Sequence, residues 1–276
     1  MVLVDKINRS GDLVNKLCRE GNVVNKAYRS GELVYQRCIN EGVIGKYLTF
    51  DMITSGTVYY IANDNSVTGK TIEYSINDGN WNRITSSLSG ITFNVNAGDS
   101  VRFRGNNEGY GVMNSHTKLI CTADYNISGN IMSIINSTNF NELDTVGYHT
   151  FDSFFRGSED WLDVNSNVVD ASELLLPATT LGDSSYSELF YGCKKLVKAP
   201  VLPATILAKN CYWGMFCFCT SLTEIKCLAT DISASGCTYR WVLGTSLTGT
   251  FIKSASMASW TIDSNGIPSG WTVINA

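Results

Sequence analysis

Leu176-Pro177-Ala178-Thr179-Thr180-Leu181 recurs 26 residues later as Leu202-Pro203-Ala204-Thr205-Ile206-Leu207. The same spacing carries Tyr186 to Tyr212, Phe190 to Phe216, Cys193 to Cys219 and Leu196 to Leu222. A fixed period in the range of about 20–50 residues means stacked units sharing one core. Each unit buries its apolar face only against a neighbour. Such a segment is a scaffold for display before it is an enclosure for a reaction.

Each copy divides into an extended and a helical part. Lys198-Ala199-Pro200-Val201-Leu202-Pro203 carries two closely spaced prolines and is expected to be extended. Asn210 to Cys219 places Tyr212, Met215, Phe216 and Cys219 at i, i+3, i+4 and i+7, which predicts a helix. A worn third copy runs through Leu228, Cys237, Tyr239, Trp241 and Leu247. An irregular first copy carries Phe151 to Phe155 and sets Arg156-Gly157-Ser158 opposite Tyr191-Gly192-Cys193, 35 residues on. An insertion around Trp161 to Val168 accounts for the longer offset. Gly249 to Lys253 and Gly270 to Val273 read as strands with a short helix between them, closing the far end with Trp260 and Trp271.

A second repeat, of period ten, fills the N-terminus. Val4 to Gly11, Val14 to Gly21 and Val24 to Gly31 align, and a degenerate fourth copy runs from Val34 to Gly42. Arg-x-Gly turns alternate with short strand-like runs, which predicts a meander of four strands. A sheet this small buries little alone. Residues 1–45 are therefore expected to be an arm for attachment or oligomerisation.

Residues 46–123 read as a β-sandwich. Tyr47–Met52, Thr57–Ile61, Thr71–Ile76, Gly90–Val95, Ser100–Arg104 and Lys118–Ala123 are strand-like, with turn residues such as Asn77-Asp78-Gly79-Asn80 between them. Residues 124–276 take in a bridge, with Ile131 to Ile135 as a short helix or strand, and then the repeats. The expected fold class is mostly β with α/β repeats: β-meander arm, β-sandwich, short strand-helix solenoid.

Charged residues make up only 17% of the chain, and the net charge is −4. That balance argues against a nucleic-acid footprint. Residues 1–46 hold eight Lys/Arg against five acids, +3, and the remainder holds 13 against 20, −7. The first residues show no basic segment followed by an apolar run, so no secretory signal is read there. No run approaches about 18 apolar residues, so no membrane span is expected.

Nine cysteines occur, six of them between Cys193 and Cys237. A zinc site would draw on Cys211, Cys217, Cys219 and Cys227, but their spacings do not match a paired Cys-x-x-Cys framework. Burial as small apolar residues on the repeat ladder is the expectation. Disulfides between ladder positions are not expected, because stacked helices sit about 8–10 Å apart and a disulfide needs Cα atoms within about 7 Å.

The Leu-Pro-Ala-Thr-x-Leu element, the Tyr…Leu-Phe and Tyr…Met-Phe pairs at 186–190 and 212–216, and Cys-x-x-Leu at 193 and 219 together resemble BspA-like leucine-rich repeats. The ending from Gly249-Thr250-Phe251 through Trp260 to Gly266-Ile267-Pro268 and Gly270-Trp271-Thr272-Val273 is similar to the close of such chains. The resemblance covers residues 150–276. Upstream, Tyr74-Ser75-Ile76-Asn77-Asp78-Gly79-x-Trp81 resembles a segment of β-domains that precede these repeats in gut proteins, one residue short before Trp81, and Gly129-Asn130-Ile131-Met132-Ser133 resembles their junction. The ten-residue arm is similar to N-terminal pieces of virion proteins of gut phages, including the crAss-like phages. The resemblance implies a phage virion or fibre protein, or a bacterial surface protein.

No Gly-x-Ser-x-Gly elbow, His-Glu-x-x-His pair or phosphate-binding loop occurs, and the two histidines, His116 and His149, stand in no metal or triad spacing. Gly105 to Gly111 reads as a flexible loop. Glu159, Asp160 and Asp163 beside Trp161 could serve a glycosidase only as a positioned pair. Trp81, Tyr110, Trp161, Tyr191 and Trp213 are the candidate surface contacts, since aromatic faces stack on sugar rings. Tyr212 and Phe216 belong to the core ladder, and Trp213 beside them is expected to face outward.

The expectation is a non-enzymatic virion protein without cofactor or metal. Residues 1–45 would join other virion proteins and further copies of the chain, a trimer being the usual fibre state. The repeats would meet a host-surface glycan or protein. A bacterial cell-surface adhesin and a carbohydrate-active enzyme are the alternatives.

Overall fold

The computed structural model describes residues 13–19, 22–29, 32–40, 46–157 and 166–276. They fall into two units, Met1–Lys46 and Tyr47–Ala276. In the first, Leu13–Arg19, Asn22–Arg29 and Glu32–Asn40 form an antiparallel meander, in the register Leu17 opposite Val24 and Val24 opposite Cys38. Strands two to four of the expected meander are these three. The Val4 copy, expected as the first strand, lies outside the described residues, as do Glu20-Gly21 and Ser30-Gly31 of the Arg-x-Gly turns.

The second unit begins with two sheets. The larger runs, edge to edge, through Val168–Leu175, Tyr125–Asn130, Leu48–Met52, Ser100–Gly105, Thr71–Ile76 and Asn82–Thr85. The smaller runs through Gly111–Val112, Ser115–Cys121, Gly56–Ala62 and Ile91–Val95. Tyr74 of one sheet stacks on Phe93 of the other at 3.9 Å, and Phe50, Tyr60, Phe103 and Leu119 are buried. Alternation drives this arrangement: Ser100–Gly105 buries Val101, Phe103 and Gly105 and half-exposes the residues between. The larger sheet continues past residue 123. Tyr125–Asn130 pairs antiparallel with Leu48–Met52 and parallel with Val168–Leu175, and one core cluster runs through the whole unit.

The 26-residue segments lie side by side. Lys198 bridges Asp170 on one side and Glu224 on the other, and Glu224–Cys227, Thr250–Lys253 and Thr272–Asn275 pair in parallel. Leu202 bridges Cys227, so Lys198 to Pro203 is extended, as its prolines require. The buried rings form a column: Tyr186 to Tyr212 at 6.3 Å, Tyr212 to Trp241 at 6.2 Å, Trp241 to Trp260 at 5.6 Å.

The helix expected over Asn210 to Cys219 is not present. That stretch is a row of turns. Positive φ recurs at every fourth residue: at Ser184, Glu188 and Gly192, at Asn210, Gly214 and Phe218, and at Gly236, Arg240 and Gly244. Alternate amides bond within the row and across to the next one. Leu189, Tyr191 and Cys193 donate three residues back, to Tyr186, Glu188 and Phe190, whereas Phe190 N–H donates to Met215 O and Gly192 N–H to Cys217 O in the next row. A helix would use every amide internally and leave none to bind its neighbour. Helical spacing misled here because a period-four row buries Tyr212, Met215, Phe216 and Cys219 just as a helix face would.

Phe151–Phe155 forms the irregular first row. Phe151, Ser153, Phe155 and Gly157 donate to Ser185, Ser187, Leu189 and Tyr191, which sets Gly157 opposite Gly192. The short helix expected between Lys253 and Gly270 is absent, that stretch being turns and bends. Helix among the described residues is limited to the 3₁₀ turns Asn65–Val67, Ile131–Ile134 and Phe140–Glu142. No helix among them is long and apolar enough to cross a membrane.

Candidate ligand cleft

The inter-row hydrogen bonds define columns on the outer face of the turn rows. Ser153, Glu188 and Gly214 donate to Ser187, Trp213 and Tyr239 at 2.8, 2.7 and 2.9 Å. The residues just before these donors, Asp152, Ser187 and Trp213, therefore stand in one column with Tyr239. One turn earlier stand Tyr148, Asp183 and Lys209. The column holds a large ring in the last two rows and only a serine at 187, so the face dips there.

The dip is the floor of a cleft of about 500 Å³. Met113, Asn114 and His116 of the hairpin that joins Gly111–Val112 to Ser115–Cys121 form its opposite wall. Gly111 allows the hairpin to come this close, because a Cβ there would lie 2.7 Å from the His149 carbonyl oxygen. Trp213 and Tyr148 stand at the rim, 42% and 56% exposed.

His149 and Asp152 meet in the cleft, with Nδ1 2.5 Å from Oδ2. Ser153 Oγ reaches Asp152 Oδ1 at 3.0 Å and Glu188 Oε2 at 3.3 Å, and Arg156 pairs with Glu188. His116 is nearly neutral imidazole throughout the ordinary pH range: burial, with the charges of Lys118 and Arg156 adding to it, pulls it down to about 3. Burial and then the Arg156 charge pull Lys118 down to about 7, against an opposing pull from Cys193. The His149–Asp152 pair has the form that moves protons. The Ser153 hydroxyl, however, is engaged by carboxylates and not by the imidazole, so these three residues do not make a nucleophilic triad.

No known protein family, curated protein or solved structure matches this chain.

The five aromatic candidates part ways. Trp213 is exposed at the cleft rim, with Tyr239 edge-on at 5.5 Å. Tyr191 is half-buried under the Arg156 guanidinium, 4.1 Å from the ring centroid. Trp81 is half-buried between the Tyr47 edge at 5.2 Å and the Arg104 guanidinium at 4.0 Å. Tyr110 is a correction: it is fully buried, and its hydroxyl donates to Ile134 O at 2.7 Å and accepts from Asn107 at 2.9 Å. Its flanking glycines suggested a loose loop, but the ring plugs the core against Phe154. Trp161 lies outside the described residues, with Glu159, Asp160 and Asp163.

Cys211, Cys217, Cys219 and Cys227 are buried and unbridged, as are Cys121, Cys193 and Cys237. Among the described residues no three His, Cys, Asp or Glu side chains gather so as to hold a metal. Burial pushes the Cys193 and Cys227 thiols up to about 12, so they carry protons at any ordinary pH. His149 and Asp152 were missed as site residues. The 35-residue offset of the first row could have placed Asp152 beside Ser187 and Trp213, but nothing local marks the hairpin wall.

Proposed function

We propose that this chain is a non-enzymatic display protein of a bacteriophage particle. Residues 1–45 attach it to other virion proteins and join copies, as a trimer in the usual fibre arrangement. The rows form a short solenoid of the BspA-like leucine-rich-repeat kind, whose outer face meets a host-surface glycan or protein. The observation that carries the contact role is the Trp213–Tyr239 pair. These rings are 42% and 45% exposed, while their neighbours Tyr212, Phe216 and Trp241 are buried in the same rows. Side-by-side parallel pairing at the 26-residue spacing supports the repeat reading.

Gold-labelled antibody against the chain, applied to purified particles and to host cells, tests the proposal. Label on particles, together with binding of the purified chain to host cells, is the expected result. Label on the envelope of uninfected bacteria decides for the cell-surface adhesin instead. Depolymerisation of host polysaccharide that disappears in Asp160→Ala and Asp163→Ala variants decides for a carbohydrate-active enzyme.

A further inference from the structure

We infer that the cleft between the Met113–His116 wall and the first three turn rows binds an uncharged sugar unit of a surface polysaccharide, with Trp213 as its stacking platform. The inference deepens the display reading and rests on it for the origin of the glycan.

A volume of about 500 Å³ sits within the range of about 300–1,000 Å³ typical of small-ligand sites. The cleft is open to solvent, so a sugar unit can enter.

The two most enclosed carboxylates have cationic or imidazole partners, Asp152 with His149 and Glu188 with Arg156. The remaining charged groups at the rim, Asp183 and Lys209, have opposite signs. His116 adds a neutral ring. Three lining carboxylates, Asp152, Asp183 and Glu188, against one lining lysine, Lys209, give the cleft no pull on an anion.

A sugar presents hydroxyls, which donate and accept, on a ring with apolar C–H faces. The cleft meets the hydroxyls with the amides of Asn114 and Asn210 and the hydroxyl of Ser187. His149 is 7% exposed and lines the cleft, and its Nδ1 is committed to Asp152. In this reading its second nitrogen, Nε2, is the atom that meets a sugar hydroxyl. The Trp213 face takes the C–H side, because a wide amphipathic ring offers apolar area at little conformational cost.

Ser187 is the residue that opens the site. The column has tryptophan and tyrosine in the rows that follow, and a ring at 187 would fill the dip.

The test uses the full chain, a panel of free oligosaccharides and whole host cells. The panel contains neutral hexose oligomers, uronate oligomers and glucosamine oligomers. Binding confined to the neutral set is expected. Trp213→Ala should weaken it about tenfold or more, Trp213→Phe should restore part, and Ser187→Trp should abolish it by occlusion. Melting temperature is recorded for each variant. If Ser187→Trp unfolds, Trp213→Ala, a change at an exposed position, decides the outcome.

Selection of the uronate or glucosamine set, or neutral binding indifferent to Trp213→Ala, overturns the inference. Cell binding that survives in the Trp213→Ala variant and is lost on protease treatment of the cells, with no free glycan bound, overturns the cleft assignment and leaves the display reading standing. Neutral-glycan binding by a chain that labels neither particle nor cell supports the cleft and removes the display reading.

Discussion

Phe190 and Phe216 stack in nearly parallel planes, 5.9 Å between centroids and 11° from parallel. They are equivalent residues of consecutive repeats, and both are fully buried. Each ring is the other's packing surface. Phe216→Ala should cost about 3–5 kcal/mol, since the neighbouring rows cannot collapse onto the void. Urea denaturation of the two proteins measures it, and a loss under about 1 kcal/mol would mean the rows do not share a core.

Trp213 and Trp241 look alike in the sequence and should behave oppositely. Trp241 is fully buried, stacks on Trp260 and donates to Gly266 O at 2.7 Å. Trp241→Ala should destabilise by about 3–5 kcal/mol. Trp213→Ala should stay within about 0.5 kcal/mol. Parallel thermal melts check the contrast.

Gly157 packs against Gly192, whose carbonyl oxygen would lie 2.4 Å from a Cβ at 157. Backbone cannot yield as a flexible side chain does. Gly157→Ala should therefore push the first row from the second and cost about 1–3 kcal/mol. Gly98, with φ +86° and nothing within 4 Å, supplies a control in which only backbone conformation is penalised. Gly98→Ala should cost about 1 kcal/mol.

The buried thiols make stability fall in alkali. Cys193 and Cys227 are pushed by burial from an ordinary value near 9 up to about 12. The folded chain keeps them protonated while the unfolded chain ionises them. Their contribution is complete below about pH 9 and is lost as the pH rises from about 9 to about 12. Urea midpoints across that window should drop for the wild type, and less steeply for a Cys193→Ala, Cys227→Ala variant. The buried tyrosines Tyr186 and Tyr212, raised by the same cause, account for part of the fall that remains.

Removal of residues 1–45 should leave Tyr47–Ala276 folded, because that unit contains its own core. Its melting temperature should match the full chain while its mass in solution drops to a monomer. Light scattering beside circular dichroism reads both. A truncated chain that keeps the full chain's oligomeric state would move assembly away from the arm.

Much of this fold was legible because repetition is visible in one dimension. Tyr186, Phe190, Cys193 and their 26-residue equivalents are all buried. The strands from Leu48–Met52 to Ser115–Cys121 fall near the places that alternation and turn residues marked. Asn82–Thr85, with one buried residue in four, left no pattern to find. Tyr110 was misplaced for a related reason. A lone tyrosine between glycines has the local signature of a loop, and only the opposing Phe154 and the Ile134 carbonyl make it core.

The amino-acid sequence by itself determined which residues pack together along the repeats, because a period names equivalent positions whatever backbone carries them. Only the tertiary structure decided that backbone. The amides could bond within a helix or across to the next row, and these alternatives bury the same side chains. The cleft likewise depends on a hairpin about 35 residues before the Tyr148–Asp152 row. Its approach to His149 is a contact between distant segments, and no local pattern encodes it.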